Sequence, residues 1–165
     1  MYKRLARNTG VLAGLIICSA PSSARIVESW PYDKLMKEAD LVVVARPVKT
    51  ELTADAAPEN NWPLEMVGQD TTFEVKHAFQ GKMDGTHIKV LHFKFGNVKK
   101  GLDPKHRGIP NGPNLVAFRL KEPPEYLLFL KRLKDGRYEP LSGRIDPMYS
   151  VRLLASADNE IPAGK

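Results

Sequence analysis

Hydrophobic and polar positions along the chain alternate with a period of two far more often than with a helical period. Leu41 to Val48 (LVVVARPV) is β-branched and nearly all apolar, the pattern of a central strand. Pro47 predicts that this strand meets an edge or a bend there. Thr71 to Phe79 alternates, with Phe73, Val75, His77 and Phe79 on one face and Thr72, Glu74 and Lys76 on the other. His87 to Phe95 is a strand whose apolar phase changes. Ile88 and Val90 share one face, then Leu91, Phe93 and Phe95 take the other, which predicts a β-bulge or a sharp coil. Leu115 to Phe118 reads as a short strand. Tyr126 to Leu130 (YLLFL) is a buried central strand. Lys134-Asp135-Gly136-Arg137 is a tight hairpin, because Asp-Gly tolerates positive φ, and Tyr138 to Leu141 returns from it.

Helical patterning is confined to the flanks. Ser29-Trp30-Pro31 reads as a capped helix start, followed by an apolar stripe of Tyr32, Leu35, Met36 and Ala39. Asp146-Pro147 reads as the cap of a last short helix carrying Tyr149, Val151, Leu153 and Leu154. Residues 52–69 read as a loop, with Trp62 and Leu64 to tuck it down. Residues 96–113, rich in Gly and Pro, read as a long irregular excursion of the kind that often carries function. About five main strands with a bulged third strand predict a mainly β fold, a small OB-like five-stranded Greek-key barrel with short flanking helices.

The first residues follow different rules. Lys3, Arg4 and Arg7 precede the short apolar run Val11 to Cys18, and Ser22-Ser23-Ala24 supplies small residues after it. That order predicts a secretory signal peptide over residues 1–24, cleaved after Ala24. The run is too short to span the bilayer as a helix. A lipoprotein signal through Cys18 is the alternative, but it wants a small residue where Ile17 stands. The 165-residue length then leaves one domain over residues 25–155 and a polar tail over 156–165. The expected destination is the periplasm or the medium, with no transmembrane segment after cleavage.

Cleavage also changes the charge argument. The formal net charge of +6 is halved when Lys3, Arg4 and Arg7 leave, since no carboxylate leaves with them. What remains does not by itself argue for nucleic acid. Cys18 is the one cysteine, so the exported domain has no disulfide and no thiol nucleophile.

Several segments together resemble a known module. They are Ala39-Asp40-Leu41-Val42-Val43-Val44-Ala45, Phe73-Glu74-Val75 leading to Gln80-Gly81, and Tyr126-Leu127-Leu128-Phe129-Leu130 ending in Gly136-Arg137-Tyr138. They look like the netrin-like domain, the OB-fold module of tissue inhibitors of metalloproteinases, over most of residues 33–142. The resemblance implies a barrel and a secreted binding module. In those inhibitors a freed N-terminal cysteine meets the target's zinc. Here the expected N-terminus is Arg25, so no functional residue carries over.

Candidate chemistry is sparse. Of His77, His87, His92 and His106, the pair His87 and His92 falls on opposite faces of one strand, so surface histidines are the expectation and no metal site is assigned. His77 lies on the apolar face of its strand, read as a ring satisfied by a backbone carbonyl. Glu122, Glu125 and Asp135 have no fixed spacing that would make a hydrolytic carboxylate pair. No nucleophile elbow, His-Glu-x-x-His or phosphate-cradling loop is present. No cofactor and no catalytic residue are expected. Three readings follow. The first is a non-catalytic module for a protein partner, an exported hydrolase being one such partner, with Trp30 and Trp62 as aromatic anchors. The second is a binder of polyanions, nucleic acid or acidic polysaccharide, through the loop 94–107, with Lys99, Lys100, Lys105 and Arg107 beside Phe93 and Phe95. A second basic group, Lys131, Arg132, Lys134 and Arg137, reads as a protected hairpin edge. The third, a small secreted enzyme, has no motif behind it.

Overall fold

The computed structural model describes residues 28–57, 64–98 and 112–154. Six strands form one sheet: β1 (Leu41–Leu52), β2 (Leu64–Gln80), β3 (His87–Val98), β4 (Tyr126–Arg132), β5 (Tyr138–Pro140) and β6 (Val151–Leu153). A helix, α1 (Tyr32–Glu38), precedes them. β1 pairs with both β2 and β4, and β3 pairs with β5, so five strands close in the order β1, β2, β3, β5, β4 and back to β1. All pairings are antiparallel except the parallel β3–β5 bridge, which is the strand arrangement of a small OB-like barrel.

Alternate positions fill the interior. Leu41, Val43 and Ala45 of β1, Phe73 of β2, Ile88 and Val90 of β3, and Tyr126, Leu128 and Leu130 of β4 form one buried cluster with Tyr138 and Val151. Among the described residues between β3 and β4 there is no helix. The stretch 112–120 crosses the barrel as an extended strap, where a short strand was expected. Phe118 of the strap lies edge-on to Phe73 at 4.7 Å and to Tyr126 at 5.2 Å.

The third strand corrects its own pattern. Its register with β2 runs unbroken from His87 to Phe95, so the change of phase is not a bulge. Ile88, Val90 and His92 continue inward. Leu91 and Phe93 point to the other face and are buried there with Met66, under Ala57, Leu115 and Leu133. The strand is covered on both sides.

The bulges sit instead in β2. Lys76 and Phe79 are the extra residues where the register with β1 slips between Val44/Ala45 and Val42/Val43. Each slip moves the following side chains to the opposite face. His77 therefore pairs with the outward Val44, and both His77 and Phe79 are exposed, not aligned with Phe73. β1 runs on through Pro47, where a further slip absorbs the missing donor.

Three element boundaries also differ. β2 begins at Leu64, inside the stretch read as a loop. The helix N-cap is Pro31, with no side-chain cap bond, and not Ser29. The last helix is only a 3-10 turn, Pro147–Tyr149, and Val151–Leu153 is a strand. β5 and β6 are in effect one interrupted strand along β4. Phe129 donates its N–H to Ser150 and accepts from Leu141, so residues 141–150 loop out from a single pairing position.

Candidate functional site

Val42 and Val44 of β1, Leu127 and Phe129 of β4, and Phe79 of β2 make the outer face of the barrel apolar as well. α1 lies on this face. Its seven residues give about 10 Å of helix. Leu35 and Ala39 bury Val42 and Phe129, with Trp30, Leu127 and Leu141 at the margin. The rest of the face is left as a groove of about 350 Å³, lined by Tyr32, Met36, Val44, Phe79, Leu127 and Leu154 among others. Tyr32 and Phe79 are each 57% exposed. An exposed apolar patch with two aromatic side chains is the form an interaction site takes.

Charged groups edge this groove. Arg46, next outward residue after Val44, holds Glu125 at 3.0 Å. Arg152 lies over the Tyr32 ring at 5.9 Å. His77 stands edge-on to Phe79 at 4.9 Å, and among the described residues no backbone carbonyl bonds its ring.

A second groove, of about 430 Å³, opens where β3 and β5 diverge, lined by Asp84, His87, Lys89, Arg132, Asp135 and Tyr138 among others. It mixes both signs of charge. Beside it Arg137 turns inward from the hairpin and clamps three carboxylates. It donates to both oxygens of Asp55 at 2.7 and 2.8 Å, to Asp70 at 3.0 Å and, through Nε, to Asp135 at 2.8 Å. Arg137 holds the Asp55 carboxyl at about 2, and lowers that of Asp135. This arginine is a structural tie between the β1–β2 connection, β2 and the hairpin, and not part of a free basic edge. Gly68 makes room for that connection, since a Cβ there would stand 2.5 Å from Thr53 Oγ1.

Among the described residues His92 is the one histidine drawn inside, against the expectation of surface rings. It is 2% exposed, bonds Thr71 Oγ1 through Nε2 at 2.8 Å and lies edge-on to Phe118 at 4.9 Å. Thr71 continues to Thr50 at 2.7 Å. Burial pushes the His92 ring down to about 4, against a smaller opposing pull from the Val116 and Phe93 backbone; Nδ1 itself makes no hydrogen bond of good geometry. The ring is a neutral core group. His87 is exposed at the strand start and bonds Thr86.

The sequence candidates fall in different places. Trp30 is half-buried beside α1, with the Lys34 ammonium 4.2 Å from its ring centroid, at the margin of the cluster that floors the groove. Trp62, Lys99, Lys100, Lys105, Arg107 and His106 lie outside the described residues. Phe93 is fully buried and unavailable for stacking, while Phe95 is 39% exposed. Glu125 and Asp135 are engaged by Arg46 and Arg137. Among the described residues no group of three or more His, Cys, Asp or Glu side chains could hold a metal ion. No helix among them is long and apolar enough to cross a membrane. Tyr32, Phe79 and Arg152 were not singled out from the sequence as site residues. The available signal was that β1 is apolar on both faces while its covering helix is short. Comparison with protein-family models, with curated proteins and with solved structures returned no match.

Proposed function

We propose that this chain is an exported, non-catalytic binding module that recognises a protein partner through the apolar groove beside α1. The observation that carries the reading is the pairing of Tyr32 and Phe79, both exposed, across a groove walled by Val44, Leu127 and Leu154. Burying such a face on a partner is favourable by about 25 cal/mol for each Å² removed from water. The signal-like N-terminus supports export, and the netrin-like resemblance favours a protein, an exported hydrolase being one candidate. Trp30 then acts by supporting the groove from the side.

The test is cross-linked capture from the exported fraction of the producing cells, using the C-terminally tagged chain. The double substitution Tyr32→Ser with Phe79→Glu should lower recovery of the dominant captured protein at least tenfold, with thermal unfolding unchanged. Equal recovery by both forms would remove this reading. Recovery of nucleic acid or acidic glycan alone, lost on raising salt, would transfer it to the basic loop 94–107.

A further inference from the structure

We infer that the partner segment seated in the groove carries a carboxylate beside its apolar anchors, and that Arg152 is the residue that reads it. This rests on the partner-binding reading above and gives that partner a chemistry. Arg152 stands on β6 directly opposite Leu127, a groove wall. Its guanidinium is placed over Tyr32, the aromatic residue at the groove's edge. Arg46, Arg137 and Arg144 each hold a carboxylate. Arg152 holds none among the described residues; its Nε, like that of Arg46, is buried without a hydrogen-bond partner, so what sets Arg152 apart is the missing carboxylate. A guanidinium half out of water with an unmet donor is costly. Nε is closed off from solvent, so a carboxylate arriving with the partner would pair with the outer Nη groups, through two parallel N–H···O bonds that only arginine offers in that geometry. The apolar walls supply affinity, and the Arg152 cation at the rim, which no carboxylate of the described residues neutralises, supplies selection against neutral or basic segments.

The experiment selects phage-displayed random twelve-residue peptides on the full chain, immobilised through a C-terminal tag. Recovered peptides are synthesised and measured by fluorescence anisotropy. Peptides pairing large apolar residues with an Asp or Glu are expected. Arg152→Gln should weaken them roughly tenfold. Changing the peptide's own acid to its amide should do the same, and combining the two should add little more. Arg152→Lys should keep the acidic preference in part, which separates lost charge from lost packing on Tyr32. Peptides that need Phe79 yet show no acidic preference, or bind Arg152→Gln unchanged, would overturn this inference and leave the docking groove standing. Peptides indifferent to Phe79→Glu, an empty selection, or a chain dimer broken by Phe79→Glu would overturn both.

Discussion

The inner and outer faces of β1 are built from the same kinds of residue and meet different ends. Leu41, Val43 and Ala45 turn inward and are wholly buried by strands that close on themselves and by the Phe118 strap. Val42 and Val44 turn outward. Val42 is sealed by α1, and Val44 is left in the groove. The inner face is closed because a barrel has no other place to put it. The outer face is covered only as far as a two-turn helix reaches. Apolar character alone therefore does not separate core from the groove proposed as an interface. The length of the covering element does.

The comparison breaks most sharply from the inside. Phe73→Ala removes a ring in edge-on contact with Phe118 and Tyr126, and should cost about 3–5 kcal/mol in urea unfolding. A loss near that of an exposed site would mean the strap does not seal the barrel.

Acid probes the same interior more gently. The His92 ring is held near 4 against an ordinary 6.5, so the unfolded chain takes up its proton first. Stability from this group is complete above pH about 6.5, falls as pH drops, and is lost once pH is below about 4, a total of about 3 kcal/mol. Urea midpoints measured down this range should fall in the parent and stay nearly level in His92→Gln. Asp55, held at about 2, keeps its charge through that interval, so the two effects separate.

The outer face should answer least in stability. Phe79→Glu is expected to move the unfolding free energy by no more than about 0.5 kcal/mol, because the side chain is a bulged residue facing solvent. A large destabilisation would place Phe79 in the core and remove its proposed role in docking.

β1, β3, β4, the hairpin and the first helix were legible because each is written in local sequence. Leu41 onward, His87 onward and Tyr126 onward announce themselves over a few residues. The bulges at Lys76 and Phe79 were not legible, since Phe73, Val75, His77 and Phe79 alternate without a break and the slip exists only against β1. Leu91 and Phe93 looked like a change of phase because the cover on their face comes from Ala57, Leu115 and Leu133, all far along the chain. The site was hidden for the same reason. Tyr32, Phe79, Leu127 and Leu154 lie on four separate segments and meet only when the barrel closes. The Arg137 clamp joins residues 82 and 67 positions away, a distance over which sequence pattern says nothing.

The seam between β3 and β5 has a mechanical meaning. It is closed by a single bridge, Val90 to Tyr138, while every other joint of the barrel carries several. Arg137, one residue from Tyr138, fastens it with charge where the backbone ladder gives out. Opening of the barrel is therefore expected to start along this line, where the backbone ladder is thinnest. An unrolled sheet has two bare edges, each a template for another chain. By tying the hairpin back to β2, Arg137 and its three aspartates are expected to keep those edges paired.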